Sequence, residues 1–146
     1  MDEIKNTLES MNIDAYRSES GLNSLVRILN IKPRPKGKRD IVAALSRFYN
    51  KPGAAAELFN RLSAYEKAIL TSVVQWGYRV NRDELESIAE THNFGVKSAY
   101  SSNTSREHYF PKDSLLYAIF LDGSVPEKFR QYFTEVIPPY IVTFKP

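Results

Sequence analysis

Gly21 to Asn50 reads GLNSLVRILNIKPRPKGKRDIVAALSRFYN, and this stretch decides the fold that the sequence predicts. Apolar residues recur at helical spacing on both sides of a basic segment, residues 32–36, that contains two prolines. Each proline forces the residue before it into an extended conformation, so no helix continues through the segment. The pattern predicts two amphipathic helices joined by a basic linker. Their apolar faces are Leu22, Leu25, Val26, Ile28 and Leu29 in the first helix, and Ile41, Val42, Ala44, Leu45 and Phe48 in the second.

The ends of these helices also have sequence signals. Asn30 tolerates the left-handed conformation that closes many helices, so we expect the first helix to end there. Gly37 provides the freedom for a tight entry, and we expect the second helix to open at Lys38. A Lys-Pro-Gly turn at residues 51–53 ends it.

The charge of the chain is unevenly distributed. Residues 26–61 contain nine Lys or Arg and only two acidic residues, a net charge of +7, although the whole chain carries only +3. Flexible cations and the free amides at a helix start both bind phosphate groups. The segment is therefore predicted to bind the backbone of nucleic acid. The residues predicted to bind it are Arg27, Lys32, Arg34, Lys36, Gly37, Lys38, Arg39 and Arg47.

This helix pair resembles the SAP family of nucleic-acid-binding modules, in which a helix, an extended loop and a second helix follow one another. The resemblance rests on Leu25, Leu29 and Ile31, then Gly37-Lys38-Arg39, and then Ile41, Val42 and Leu45. Asn30 stands where a glycine is common in the family, and the linker carries an unusual Pro-Arg-Pro. Related helix–extended loop–helix modules, including the N-terminal one of transcription terminator Rho, share the pattern and are not all nucleic-acid binders.

The composition narrows the class of protein. Its 146 residues are 42% hydrophobic and 25% charged, as in ordinary globular domains. The absence of cysteine excludes a disulfide scaffold, a cysteine-ligated zinc site and a thiol nucleophile. The N-terminal residues are acidic and amphipathic, unlike a secretory signal, and no apolar run is long enough to span a membrane. We expect a protein of the cytoplasm, or of the nucleus in a eukaryote.

The remainder of the chain is predicted to be mainly helical. Residues 1–20 form a lead-in helix whose apolar stripe is Ile4, Leu8 and Met11, and residues 21–62 form the SAP-like module with a third helix at its end. In residues 63–146, a capping box formed by Ser63 and Glu66 predicts the start of one helix, and Asn81 is predicted to cap the next helix. An extended piece is expected at 78–80, a polar loop or hairpin wing at 95–108, and an apolar helix at 113–121. Next comes a helix at 126–136, and the last expected element is a strand at 140–144. The apolar face of the helix at 126–136 is Phe129, Tyr132, Phe133 and Val136.

The order of elements in residues 63–146 resembles a winged-helix unit, an α+β arrangement with a small β element. The segment SLLYAIFLDGSVPEKFRQYFTEVIPP is similar to a region that adjoins winged-helix units in some bacterial helicase-associated proteins. Because the strand expected at 140–144 has no following partner, we hypothesise that this chain is the N-terminal region of a longer protein, and a helicase-like protein is the alternative that the resemblance suggests. Because the candidate reading helices are apolar or acidic, we expect this half to pack or to contact protein.

These features predict a non-catalytic protein that binds nucleic acid, DNA rather than RNA, without reading its sequence. The alternative is a protein-interaction or regulatory module whose basic face meets an acidic protein or a missing C-terminal domain. No cofactor or metal is expected, because His92 and His108 stand alone and no glycine-rich phosphate loop or nucleophile elbow is present. Three aromatic residues offer possible base stacking but more often fill a core: Tyr65, Trp76 and Tyr78.

Overall fold

Both helices predicted in residues 21–50 are present in the computed structural model, which describes residues 3–14, 21–95 and 106–138. The first of them ends at Asn30, whose backbone is left-handed with φ of 54°. The amides of Asn30 and Ile31 donate to the carbonyls of Arg27 and Val26, each at 3.1 Å. This is the hydrogen-bond pattern that closes a helix at a left-handed residue, so the prediction from Asn30 is confirmed.

The described residues are mainly α-helical, as predicted. A 3-10 helix, Arg106–Tyr109, lies between the sixth and seventh α-helices. The only β element among these residues is an isolated bridge between Leu121 and Ser124. The expected strand at 140–144 and most of the expected loop or wing lie outside the described residues. The α-helices are α1 (Glu3–Ser10), α2 (Leu22–Leu29), α3 (Gly37–Asn50), α4 (Ala54–Arg61), α5 (Ala64–Gln75), α6 (Arg82–Thr91), α7 (Leu116–Ile119) and α8 (Glu127–Val136).

One hydrophobic cluster extends from Ile4 to Ile137 and draws on all three predicted segments of the chain. Helix α3 lies at its centre, because it packs on α1, α2 and α4, while α2 also contacts α7 and α4 contacts α8. The Tyr49 side chain of α3 is fully buried, and its hydroxyl donates to the Ala118 carbonyl at 2.6 Å. Its ring lies against Phe129, with 5.5 Å between the ring centroids. These neighbours cover the apolar face of α3 and leave its polar face exposed.

The start of α5 has the capping box that the sequence predicts. The Ser63 hydroxyl accepts from the Glu66 amide at 3.1 Å, and the Ser63 amide donates to a Glu66 carboxylate oxygen at 2.8 Å. The cap of α6 is also confirmed, because the Asn81 side chain accepts from the Glu84 amide at 3.1 Å. Both caps are local signals that the surrounding chain leaves intact.

Residues 113–121 do not form the single apolar helix that was predicted. Asp113 has a left-handed backbone with φ of 58°, and only Leu116–Ile119 is helical. The Ser114 hydroxyl is hydrogen-bonded to Glu66, and Asp122 and Gly123 turn the chain with positive φ. These fixed points at both ends leave room for a single helical turn.

Two smaller predictions are also wrong. Residues 78–80 were expected to be extended, but Tyr78 has φ of 63° and its amide donates to the Val73 carbonyl at 2.7 Å. Tyr78 thus takes part in closing α5 together with Gly77.

Val136 was assigned to the apolar face of α8, yet 41% of its surface is exposed, whereas Phe129 and Phe133 are buried as expected.

Candidate nucleic-acid interface

The predicted phosphate-binding residues gather around the start of α3. Its cap residue, Lys36, has an extended backbone, and the Lys36 side chain makes no capping hydrogen bond to the first amides of the helix. Gly37 follows with a left-handed φ of 78°, and a Cβ added there would meet no atom within 4 Å. The helix therefore begins at an open surface where its unpaired amides can meet a ligand.

The first concave surface at this end of α3 is the linker groove, with a volume of about 510 Å³. It contains four predicted binding residues, Lys32, Arg34, Lys36 and Arg47. Asp40, in the first turn of α3, is the one acidic residue among the described residues that line it. The remaining lining residues are Ile31, Pro33, Pro35, Ala43 and Ala44. The linker groove is thus strongly cationic.

A second concave surface, the α1/α3 groove, runs between these two helices and has a volume of about 690 Å³. It contains Lys38 and Arg39 and shares Arg47 and Ala43 with the linker groove. Its other lining residues are Lys5, Glu9, Val42 and Ser46. Lys5 and Glu9 were not predicted to belong to the site. Ile4 and Leu8 gave the only signal, since they mark the buried face of α1 without indicating its neighbour.

The six predicted cations that line the two grooves are exposed and carry unneutralised charge. Within residues 3–14, 21–95 and 106–138, the ion pairs join Lys5 to Glu9, Arg27 to Asp113, Lys51 and Arg61 to Glu57, and Arg82 to Glu86. None of these pairs includes a member of the set Lys32, Arg34, Lys36, Lys38, Arg39 and Arg47. Unpaired cations on one open face attract polyanions strongly.

Arg27 is placed differently from the other predicted residues. Its guanidinium donates to one Asp113 carboxylate oxygen through Nη2 at 2.8 Å and through Nε at 3.1 Å. Both side chains are about half exposed, and Arg27 does not line either groove. The structure therefore groups seven of the eight predicted residues and sets Arg27 apart.

The three aromatic candidates for base stacking lie outside both grooves. Tyr65 is buried and its hydroxyl donates to the Tyr109 carbonyl at 2.6 Å, and burial raises the pKa of Tyr65. The Tyr78 hydroxyl donates to the Arg130 carbonyl at 3.2 Å. Trp76 is 41% exposed, and its indole donates to Glu84 at 2.7 Å. The Tyr65 and Tyr78 side chains therefore pack and hydrogen-bond within the protein.

Other kinds of site find no support in the part of the chain that the structure describes. No cluster of three or more His, Asp or Glu side chains there could hold a metal ion. The described helices are all too short or too polar to cross a bilayer. Comparison of the sequence with protein-family models, with curated proteins and with solved structures found no match.

Proposed function

We propose that this protein binds the phosphate backbone of DNA, without catalysis and without reading base sequence, through the linker groove and the start of α3. One observation carries the proposal. Six exposed cations line the two grooves, five of them within the linker and the first turn of α3, and none of the six is paired with a described carboxylate. The SAP-like order of helix, basic linker and helix supports the same function. The apolar α7 and the acidic α6 support a packing or protein-contact role for residues 63–146.

The chemistry of the surface favours phosphate over base edges. Long, flexible lysine and arginine side chains can follow a backbone, whereas base readout requires side chains held in a groove with defined geometry. Binding of this kind releases counterions, so affinity falls steeply as salt rises. About six phosphate contacts give a slope near −5 on a plot of log affinity against log salt.

The lining of the grooves favours a duplex over a single strand. Proteins that bind single strands usually combine a basic channel with aromatic side chains on which bases stack. Among the described residues that line the two grooves, none is aromatic. The α3 rings nearest to them, Phe48 and Tyr49, are buried. A surface of cations without rings suits a backbone whose bases are already stacked.

A fluorescently labelled DNA duplex, titrated at several salt concentrations, tests the proposal. We expect binding at low salt with the steep slope given above. The triple variant Lys36→Ala/Lys38→Ala/Arg39→Ala should lose most of the affinity and reduce the slope by about 2.7, or 0.9 for each lost contact.

The matched control is Arg79→Ala/Lys112→Ala/Lys128→Ala, which removes the same charge from exposed positions outside both grooves. Equal losses in the two triple variants would show that total charge and not this surface drives binding. Absence of binding to the native chain at low salt would refute the proposal. Matched RNA duplex and single-stranded probes establish which nucleic acid binds most tightly.

A further inference from the structure

The α1/α3 groove differs chemically from the linker groove. Its floor consists of small or apolar α3 residues: the exposed Ala43, the half-buried Ser46 and, at the bottom, the buried Val42. Together with Arg39 these residues follow the spacing i, i+3, i+4 and i+7, so the groove runs along the helix axis. Seven residues of helix extend about 10 Å, or about two turns. A floor of this length and character fits a short peptide segment better than a single phosphate.

Positive charge stands at both ends of this floor. Lys38 and Arg39 lie at the α3 start, and Arg47 lies two turns further along. On the α1 wall the charges of Lys5 and Glu9 offset each other, because their side chains form an ion pair at 3.9 Å. A ligand that complements the groove therefore has apolar side chains in its middle and carboxylates towards its ends.

We propose that the α1/α3 groove binds an acidic amphipathic helical segment of a protein partner. Its apolar side chains lie on Val42 and Ala43, and its carboxylates pair with Arg39 and Arg47. Binding of this segment goes beyond the proposed DNA binding and does not depend on it, whereas its competition with DNA rests on that proposed function. Because Lys38, Arg39 and Arg47 serve both ligands, the segment and DNA compete, and the partner would regulate access to DNA.

The first test uses a synthetic peptide of about 15 residues, long enough to form helix, with Leu at i, i+4 and i+7 and Glu on its other faces. A second peptide has Ser in place of each Leu and the same charge. Amide resonances of the ¹⁵N-labelled full chain are followed during titration with each. We expect the Leu peptide, and not the Ser peptide, to shift the resonances of Val42, Ala43 and Ser46. No shift, or equal shifts with both peptides, would overturn the proposal.

The variant Ala43→Lys tests the apolar floor. Ala43 is exposed on α3, so a lysine there covers the floor. We expect affinity for the Leu peptide to fall about tenfold, although the added positive charge alone would favour an acidic peptide. The matched control, Ala64→Lys, places the same charge on an exposed position of α5 and should leave the affinity for the peptide unchanged.

A second variant reverses a charge and leaves the floor of the α1/α3 groove unchanged. Arg39→Glu should also weaken the Leu peptide about tenfold, since it removes one end of the complementary charge. Unchanged peptide binding in both Ala43→Lys and Arg39→Glu would overturn the proposal. Peptide binding without any DNA binding would refute the proposed function alone and support this one.

Discussion

The buried carboxylate of Glu66 accepts a hydrogen bond from the Ser114 hydroxyl at 2.5 Å, across 48 residues of sequence. The same oxygen accepts from the Leu115 amide at 3.1 Å, and the other oxygen accepts from the Ser63 amide at 2.8 Å. One side chain thus fixes the start of α5 and the approach to α7. Since a buried carboxylate without donors is strongly unfavourable, these three donors hold the two segments in one arrangement.

Glu66→Gln tests this connection. A glutamine amide has one acceptor oxygen, so at least one of the three donors loses its partner. We expect the free energy of unfolding, measured by urea denaturation, to fall by about 1–3 kcal/mol. The control Glu86→Gln, at an exposed ion pair with Arg82, should change it by less than about 1 kcal/mol. Equal effects of the two substitutions would contradict the role assigned to Glu66.

Tyr49→Phe tests the bond between α3 and α7. It removes the hydroxyl that donates to the Ala118 carbonyl and leaves that buried oxygen without its partner. We expect a loss of about 1–3 kcal/mol in unfolding free energy. Tyr132→Phe is the matched control, because Tyr132 is half-buried and its contacts are between rings. It should change stability by no more than about 0.5 kcal/mol. Similar losses in both variants would point to ring packing instead.

Alkaline pH should destabilise the protein. Burial raises the pKa of Tyr49 and also that of Tyr65 above the ordinary tyrosine value. In the unfolded chain these hydroxyls ionise near pH 10, whereas the folded protein keeps them protonated to higher pH. Their contribution to stability is therefore complete below about pH 10 and is lost as pH rises further.

Thermal unfolding between about pH 8 and pH 11 measures this effect, and Tyr49→Phe should show a shallower alkaline decline. A Tm that does not change over this range would show that the two tyrosines ionise as readily in the folded protein as in the unfolded chain.

Gly37→Ala tests the entry into α3. Its φ of 78° is left-handed, a conformation that disfavours alanine by about 1–2 kcal/mol. We expect that loss in unfolding free energy, together with altered chemical shifts confined to residues near the start of α3. Gly95→Ala is the control, since its φ is outside that region and its surroundings are equally open. It should be neutral to within about 0.5 kcal/mol.

Salt dependence can test whether Arg27 belongs to the proposed DNA interface. Because Arg27 pairs with Asp113 and lines neither groove, Arg27→Ala should leave the salt slope of duplex binding unchanged. Arg39→Ala should reduce that slope by about 0.9, the value of one phosphate contact. Equal reductions of the salt slope in Arg27→Ala and Arg39→Ala would show that Arg27 contacts phosphate, as the sequence predicted.

Local signals explain what could be predicted of the fold. Asn30, the Ser63–Glu66 box and the Asn81 cap act within a few residues, so the sequence contains everything that places them. The helix expected at residues 113–121 was wrong for the opposite reason. Leu116, Ile119 and Phe120 are buried, but Glu66, which is distant in sequence, holds the start of the segment through Ser114 and Leu115. An apolar run alone does not distinguish helix from turn.

The same division applies to the candidate site. Its cations were found because Lys32, Arg34, Lys36, Lys38 and Arg39 lie within eight residues of one another. The α1 wall was missed because an apolar stripe shows that a helix is buried without naming its neighbour. The pairing of Arg27 with Asp113, 86 residues away, has no local signal.

The hydrogen bond from Tyr49 to Ala118 also limits how this protein can be divided for study. Residues 21–62 have the outline of a self-contained module, yet the acceptor for their most buried hydroxyl lies 69 residues further along the chain. Cutting after residue 62 would uncover Tyr49 and the apolar surfaces of α2 and α4 that α7 and α8 now cover. The excised fragment would expose a hydrophobic face prone to aggregation, so the basic surface is best studied within the whole chain.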